Sequence, residues 1–97
     1  MGAVENRPVA GSVLDGVVEI MEGVLRRSLS SADEEDFFYL GGRSLTLMVL
    51  LARVKKRFGV AVLPKAFMER PTAAGLAGQV EELLRRKAEA AAREAGS

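Results

Sequence analysis

The chain of 97 residues has no cysteine, no histidine and no tryptophan, and only three prolines. Without cysteine there are no disulfides, thiolate metal sites or cysteine nucleophiles, and without histidine the commonest general base and metal ligand is missing. Neither a metal site nor a self-contained enzyme is expected from what remains. A surplus of one charge is also lacking, since 14 basic and 13 acidic residues leave a net charge of +1. The longest apolar run, Leu45 to Ala52 interrupted by Thr46, falls short of the roughly 20 residues that span a bilayer. At the start, Asn6 stands where a myristoylation signal requires serine or threonine, and no long apolar run follows a basic region. These features predict a cytoplasmic protein with no membrane partner.

What is present fits a single helical domain. Hydrophobic residues make up 48% and charged residues 28%, a balance that supports a packed core rather than disorder. The charges are segregated along the chain. Acids dominate up to Asp36, whereas Arg43, Arg53, Lys55, Lys56, Arg57, Lys65 and Arg70 face only Glu69. A basic patch beside residue 44 follows if the second helix forms.

Residues 1–11 show no apolar period and are read as a flexible lead-in, 12–87 as the folded domain, and 88–97 as a helical or frayed tail. Ser12 can cap a first helix with Leu14, Val17, Val18, Met21, Val24 and Leu25 on one face. Ser28 to Asp36 reads as a loop, with Ser31 to Glu34 as a short capping box. Phe37, Phe38 and Leu40 are apolar residues in a loop, which fits rings that plug the core. The paired Gly41 and Gly42 reverse the chain, and a helix begins near Arg43 or Ser44.

That second helix carries Leu47, Leu51, Val54 and Phe58 on one stripe and Leu45, Met48 and Ala52 on the next, a width that predicts burial on several sides. Gly59 fits its carboxyl cap, after Lys55, Lys56 and Arg57. Val60 to Leu63 is a connector, because a lone strand would have no partner. Pro64 opens a short helix through Met68, and Thr72 caps a last helix bearing Leu76, Val80, Leu83 and Leu84. The predicted fold is all-α: a small antiparallel four-helix bundle, three helices long and one short. Phe37, Phe38, Phe58, Phe67 and Met68 are assigned to its core.

The segment Asp36-Phe37-Phe38-Tyr39-Leu40-Gly41-Gly42-Arg43-Ser44-Leu45 resembles the attachment site of phosphopantetheine-binding carrier proteins, the peptidyl and acyl carriers of nonribosomal peptide and polyketide synthesis. The stretch Arg53 to Val60 looks like the end of the second carrier helix. Phe67-Met68-Glu69-Arg70-Pro71-Thr72-Ala73-Ala74-Gly75-Leu76-Ala77 is similar to the stretch leading into that family's last helix. The Leu-Gly-Gly context favours the peptidyl or aryl branch of that family over the fatty-acid branch, and the likeness is greatest to the discrete peptidyl carriers. Arg43 departs from the pattern, which usually has aspartate or histidine there, and Tyr39 departs where a polar residue is common.

The resemblance implies 4′-phosphopantetheine from coenzyme A, joined to Ser44 and holding an aminoacyl, peptidyl or acyl group as a thioester. Asp36, Gly41, Gly42, Arg43 and Leu45 would shape recognition of that site. Leu47, Met48, Lys65, Phe67 and Met68 would be candidate docking contacts. The implied partners are a phosphopantetheinyl transferase, an adenylating or acyl-loading enzyme, and condensation or tailoring enzymes, around a free-standing, non-catalytic monomer. Two other readings remain open: an unmodified adaptor domain of the same fold, which Arg43 permits, and a nucleic-acid footprint at Arg53 to Arg57. The second is disfavoured by net charge near zero and poor aromatic interleaving.

Overall fold

The computed structural model describes residues 9–29 and 35–96. Among them run four helices, α1 (Val9–Leu25), α2 (Ser44–Phe58), α3 (Pro64–Glu69) and α4 (Ala73–Gly96), and no strand. The predicted all-α bundle of three long helices and one short is therefore the observed architecture. The capping box proposed at Ser31 to Glu34 lies outside the described residues, as does the chain before Val9.

Helix α1 packs against both α4 and α2. Its deepest residues are Val13, Val17, Ile20 and Met21, spaced as one helical face, with Leu14, Val18, Val24 and Leu25 half-buried at its edges. The buried arc is thus rotated from the stripe expected from the sequence, because two neighbouring helices cover α1 and its deepest line falls between them. At Gly16 a β-carbon would stand 2.8 Å from Cζ of Phe58, so the missing side chain lets the end of α2 approach α1. The helix begins at Val9, which places Ser12 inside its first turns rather than at its N-cap. It ends at Leu25, and the next residue, Arg26, has a φ of 59°, unusual for a residue with a β-carbon, while its N–H donates to the Glu22 carbonyl at 2.7 Å.

Helix α2 buries Leu47, Leu50, Leu51 and Val54. The adjoining stripe of Leu45, Met48 and Ala52 faces outward, contrary to the burial its width predicted. Gly59 ends the helix with φ 77°, its N–H donating to the Lys55 carbonyl at 2.8 Å. In the connector Val60 and Val62 point into the core while Ala61 and Leu63 remain exposed. Pro64 then opens α3, where its missing N–H costs nothing.

Helix α3 buries Phe67 completely but leaves Met68 57% exposed, so Met68 is not the core residue it was expected to be. Thr72 starts α4 as predicted, its Oγ1 accepting the Gly75 N–H at 2.9 Å and its carbonyl accepting that of Leu76 at 2.9 Å. Ala73, Leu76, Ala77 and Val80 face the core, with Leu83 and Leu84 at its margin. Beyond them α4 continues into solvent. Lys87 Nζ still reaches the Gly59 carbonyl at 3.3 Å. No helix among the described residues is long and apolar enough to cross a membrane.

Candidate functional site

The loop ahead of α2 is built on Asp36 and two buried side chains. Asp36 Oδ1 accepts the N–H groups of Phe38 at 2.7 Å and Tyr39 at 3.3 Å, while its carbonyl accepts that of Leu40 at 3.0 Å. A short polar side chain that folds back on the next N–H groups fixes a turn in this way. Phe37 is fully buried, its ring nearly perpendicular to those of Phe38 and Phe67 at centroid distances of 5.3 and 5.6 Å. Its N–H donates to the Pro71 carbonyl at 2.6 Å. Leu40 is also buried, and its carbonyl accepts Arg27 Nη1 at 3.2 Å. Burying an aromatic side chain of this kind contributes about 1.5–3 kcal/mol, so the loop is held by the core as firmly as a helix face is.

Gly41 and Gly42 are needed for different reasons. Gly41 has φ 106° with open space around it, so its requirement is the backbone conformation alone. At Gly42 the φ is unremarkable, but a β-carbon would overlap the edge of the Phe37 ring at Cε2 and Cδ2. The first glycine turns the chain and the second lets it pass over the aromatic plug.

Arg43 is the N-cap of α2, with an extended backbone (φ −135°, ψ 176°). A guanidinium has no acceptor and cannot cap a helix start. Thr46 supplies the cap from inside the helix: its Oγ1 accepts the Arg43 N–H at 2.6 Å and donates to the Arg43 carbonyl at 2.8 Å. That carbonyl also accepts the Leu47 N–H at 2.8 Å, the first hydrogen bond of α2.

Ser44 is consequently the first residue of the helix. It is exposed, and its hydroxyl has no hydrogen-bond partner among the described residues. The N–H groups of Ser44, Leu45 and Thr46 precede the first helical bond and leave the positive end of the helix dipole at the serine. An anion joined to this hydroxyl would meet that partial charge, worth about 0.3–1 kcal/mol at an exposed site.

The residues predicted around the serine are brought together here: Asp36 and Gly41 in the turn, Gly42 over Phe37, Arg43 at the cap, and Leu45 just inside the helix and 75% exposed. Of the predicted docking contacts, Met48, Lys65 and Met68 are exposed. Leu47 is only 5% exposed and Phe67 fully buried, so both belong to the core and offer no surface to a partner. Sequence reasoning missed Thr46 and Arg27. A threonine three residues after a cap position is a readable signal, whereas the reach of Arg27 to Leu40 depends on tertiary geometry.

Residues 15–80 match the model of the phosphopantetheine attachment site family. The chain is 36% identical over 85 residues to pyochelin synthetase PchE of Pseudomonas aeruginosa, a match that covers 84% of this chain and 6% of the synthetase. It is 38% identical over 84 residues to the nonribosomal peptide synthetase gliP of Aspergillus fumigatus, covering 81% of this chain and 4% of that protein. The chain thus spans only a few per cent of the length of these curated relatives. Among solved structures, the solution structure of an active-site mutant peptidyl carrier protein superposes with a TM-score of 0.65 at 28% identity, over 77% of this chain and 91% of the other. With the four helices of its described residues, its glycine turn and an exposed serine opening α2, the chain belongs to the phosphopantetheine attachment site family, as a carrier of the nonribosomal peptide and polyketide synthase type.

Proposed function

We propose that Ser44 is the residue that carries 4′-phosphopantetheine, and that the chain acts as a discrete, non-catalytic carrier of an aminoacyl, peptidyl or acyl group. The single observation that supports this most strongly is the exposed Ser44 hydroxyl, without a hydrogen-bond partner among the described residues, at the free amino end of α2. When bound, the phosphopantetheine arm supplies a terminal thiol that can hold such a group as a thioester.

The residues around the hydroxyl fit the group. Ser44 Oγ is the acceptor oxygen. The N–H groups of the first turn would face the added negative charge, and Gly41 puts no side chain into the open space beside its turn. Thr46 fixes where α2 starts and so where the serine stands. With neither histidine nor cysteine in the chain, the proton acceptor for Oγ and the thiol are supplied by partner and cofactor. A phosphopantetheinyl transferase, an adenylating or acyl-loading enzyme, and condensation or tailoring enzymes are the corresponding partners. Met48, Lys65, Met68 and Leu45 supply exposed contacts for them.

Peptide mapping after incubation with coenzyme A, Mg²⁺ and a broad-specificity transferase tests the assignment. The added group is expected on the peptide that contains Ser44, and its appearance on another serine would overturn the reading.

A further inference from the structure

The large apolar side chains left exposed in the described part of the chain all fall between Tyr39 and Met68. They are Tyr39, Leu45, Met48, Val49, Leu63 and Met68. Three of them, Leu45, Met48 and Val49, stand at three- and four-residue steps on the outer face of α2, directly after Ser44. About two turns further along the same face, Lys55 and Lys56 are exposed and have no ion pair among the described residues. Arg57, beside them, is engaged by Glu19 of α1 at 2.9 Å. Helix α2 contains no acid, and from Arg43 to Arg70 the only acid is Glu69. The outer face of α2 is therefore divided along its axis, apolar next to the serine and cationic at about 15–18 Å from it.

We infer that the enzymes acting on Ser44 meet this face with an apolar contact beside their active-site mouth and an acidic patch opposite Lys55 and Lys56. The inference rests on the assignment of Ser44 and adds the chemistry of the partner. Apolar contacts at the centre supply affinity. Unpaired charges at one end fix orientation and raise the rate of encounter without a large share of the binding energy. A basic partner surface would meet Lys55 and Lys56 with like charge, so the same pair also rejects wrong partners. An anionic lipid surface is less well matched. A helix lying on a membrane carries cations along the length of its polar face, whereas here they sit at one end of an apolar stripe.

The test compares two phosphopantetheinyl transferases of known surface charge, one acidic and one basic beside the coenzyme A site, by the kinetics of Ser44 modification. At low salt the acidic enzyme is expected to show a KM for the carrier about tenfold below that of the basic one, a difference that collapses near 0.5 M NaCl as screening sets in. Lys55→Glu/Lys56→Glu should reverse the preference and Lys55→Gln/Lys56→Gln should abolish it, with kcat unchanged. The glutamine variant guards against any loss of α2 from acids placed in its last turn. Modification by both enzymes with equal KM, or with the basic one preferred, would overturn the inference while leaving Ser44 in place. No modification by either would overturn the assignment of Ser44 and the inference with it. Partition onto vesicles of phosphatidylcholine and phosphatidylglycerol that is lost in the glutamine variant would reassign the face to a membrane and overturn it as well.

Discussion

Phe37 and Phe67 meet edge to face at 5.6 Å, both fully buried, and join the loop that presents Ser44 to the short helix α3. The Phe37 N–H seals the same junction on the Pro71 carbonyl. Two sequence segments thirty residues apart are thereby one structural unit. Phe67→Ala should destabilise the fold by about 3–5 kcal/mol, the usual cost of an emptied aromatic site. A denaturant titration measures it, and a loss below about 1 kcal/mol would show that the site collapses around the missing ring.

Gly41 and Gly42 predict different responses to the same substitution. Gly42→Ala drives a methyl into the Phe37 ring, and overpacking of this kind costs about 1–3 kcal/mol. Gly41→Ala meets no neighbour and costs only the positive φ, of order 1 kcal/mol or somewhat more. Near-ultraviolet spectra separate the two cases. The Gly42 variant should perturb the aromatic signal, and the Gly41 variant should not.

Much of this site was legible in the sequence because it rests on local chemistry. Glycines at a turn, a threonine before α4 and a glycine after α2 each act within a few residues, and the helix starts and stops followed them. What periodicity could not decide was which of two adjacent apolar faces is covered. On α2 the stripe through Leu47, Leu51 and Val54 is inside, with Leu50 beside it, whereas Leu45, Met48 and Ala52 are outside. Nothing in the spacing distinguishes these faces, since α2 is apolar around most of its first three turns. The same ambiguity left Leu47, Phe67 and Met68 each assigned both to the apolar interior and to the docking surface, where the structure buries the first two and exposes the third. On α1 it hid Val13 and Ile20, which are buried only because α1 is covered by two helices at once.

Thr46 should matter more than an ordinary surface threonine. Thr46→Val removes both hydrogen bonds to Arg43 while keeping the shape, with an expected loss of about 1 kcal/mol, and Thr46→Ser should restore most of it. Amide exchange at Arg43 and Leu47, whose N–H groups are bonded at this cap, should rise in the valine variant. Unchanged exchange there would show that the start of α2 does not depend on this hydroxyl.

The projecting part of α4 is held by ion pairs rather than by a core. Glu82 accepts Arg85 at 2.6 Å and Arg86 at 2.9 Å, and Arg85 also reaches Glu89 at 2.7 Å. Hydrogen bonds from Arg85 and then Arg86 hold the Glu82 carboxyl below the usual carboxylate range. A lowered folded-state pKa gives stabilisation that is complete above the ordinary carboxylate range and lost as pH falls through the lowered value. These groups are exposed, so the effect is local and screened by salt. Helicity of residues 85–95 should fall in acid before the bundle unfolds. A single transition for both would contradict this.

Intact mass after incubation with coenzyme A, Mg²⁺ and a broad-specificity phosphopantetheinyl transferase tests the central claim most directly, with Ser44→Ala treated alongside. The hydroxyl makes no hydrogen bond among the described residues, so the variant should fold with unchanged stability. The wild type should gain one phosphopantetheinyl group and the variant none. A gain on the variant, or none on the folded wild type, would contradict Ser44 as the attachment residue.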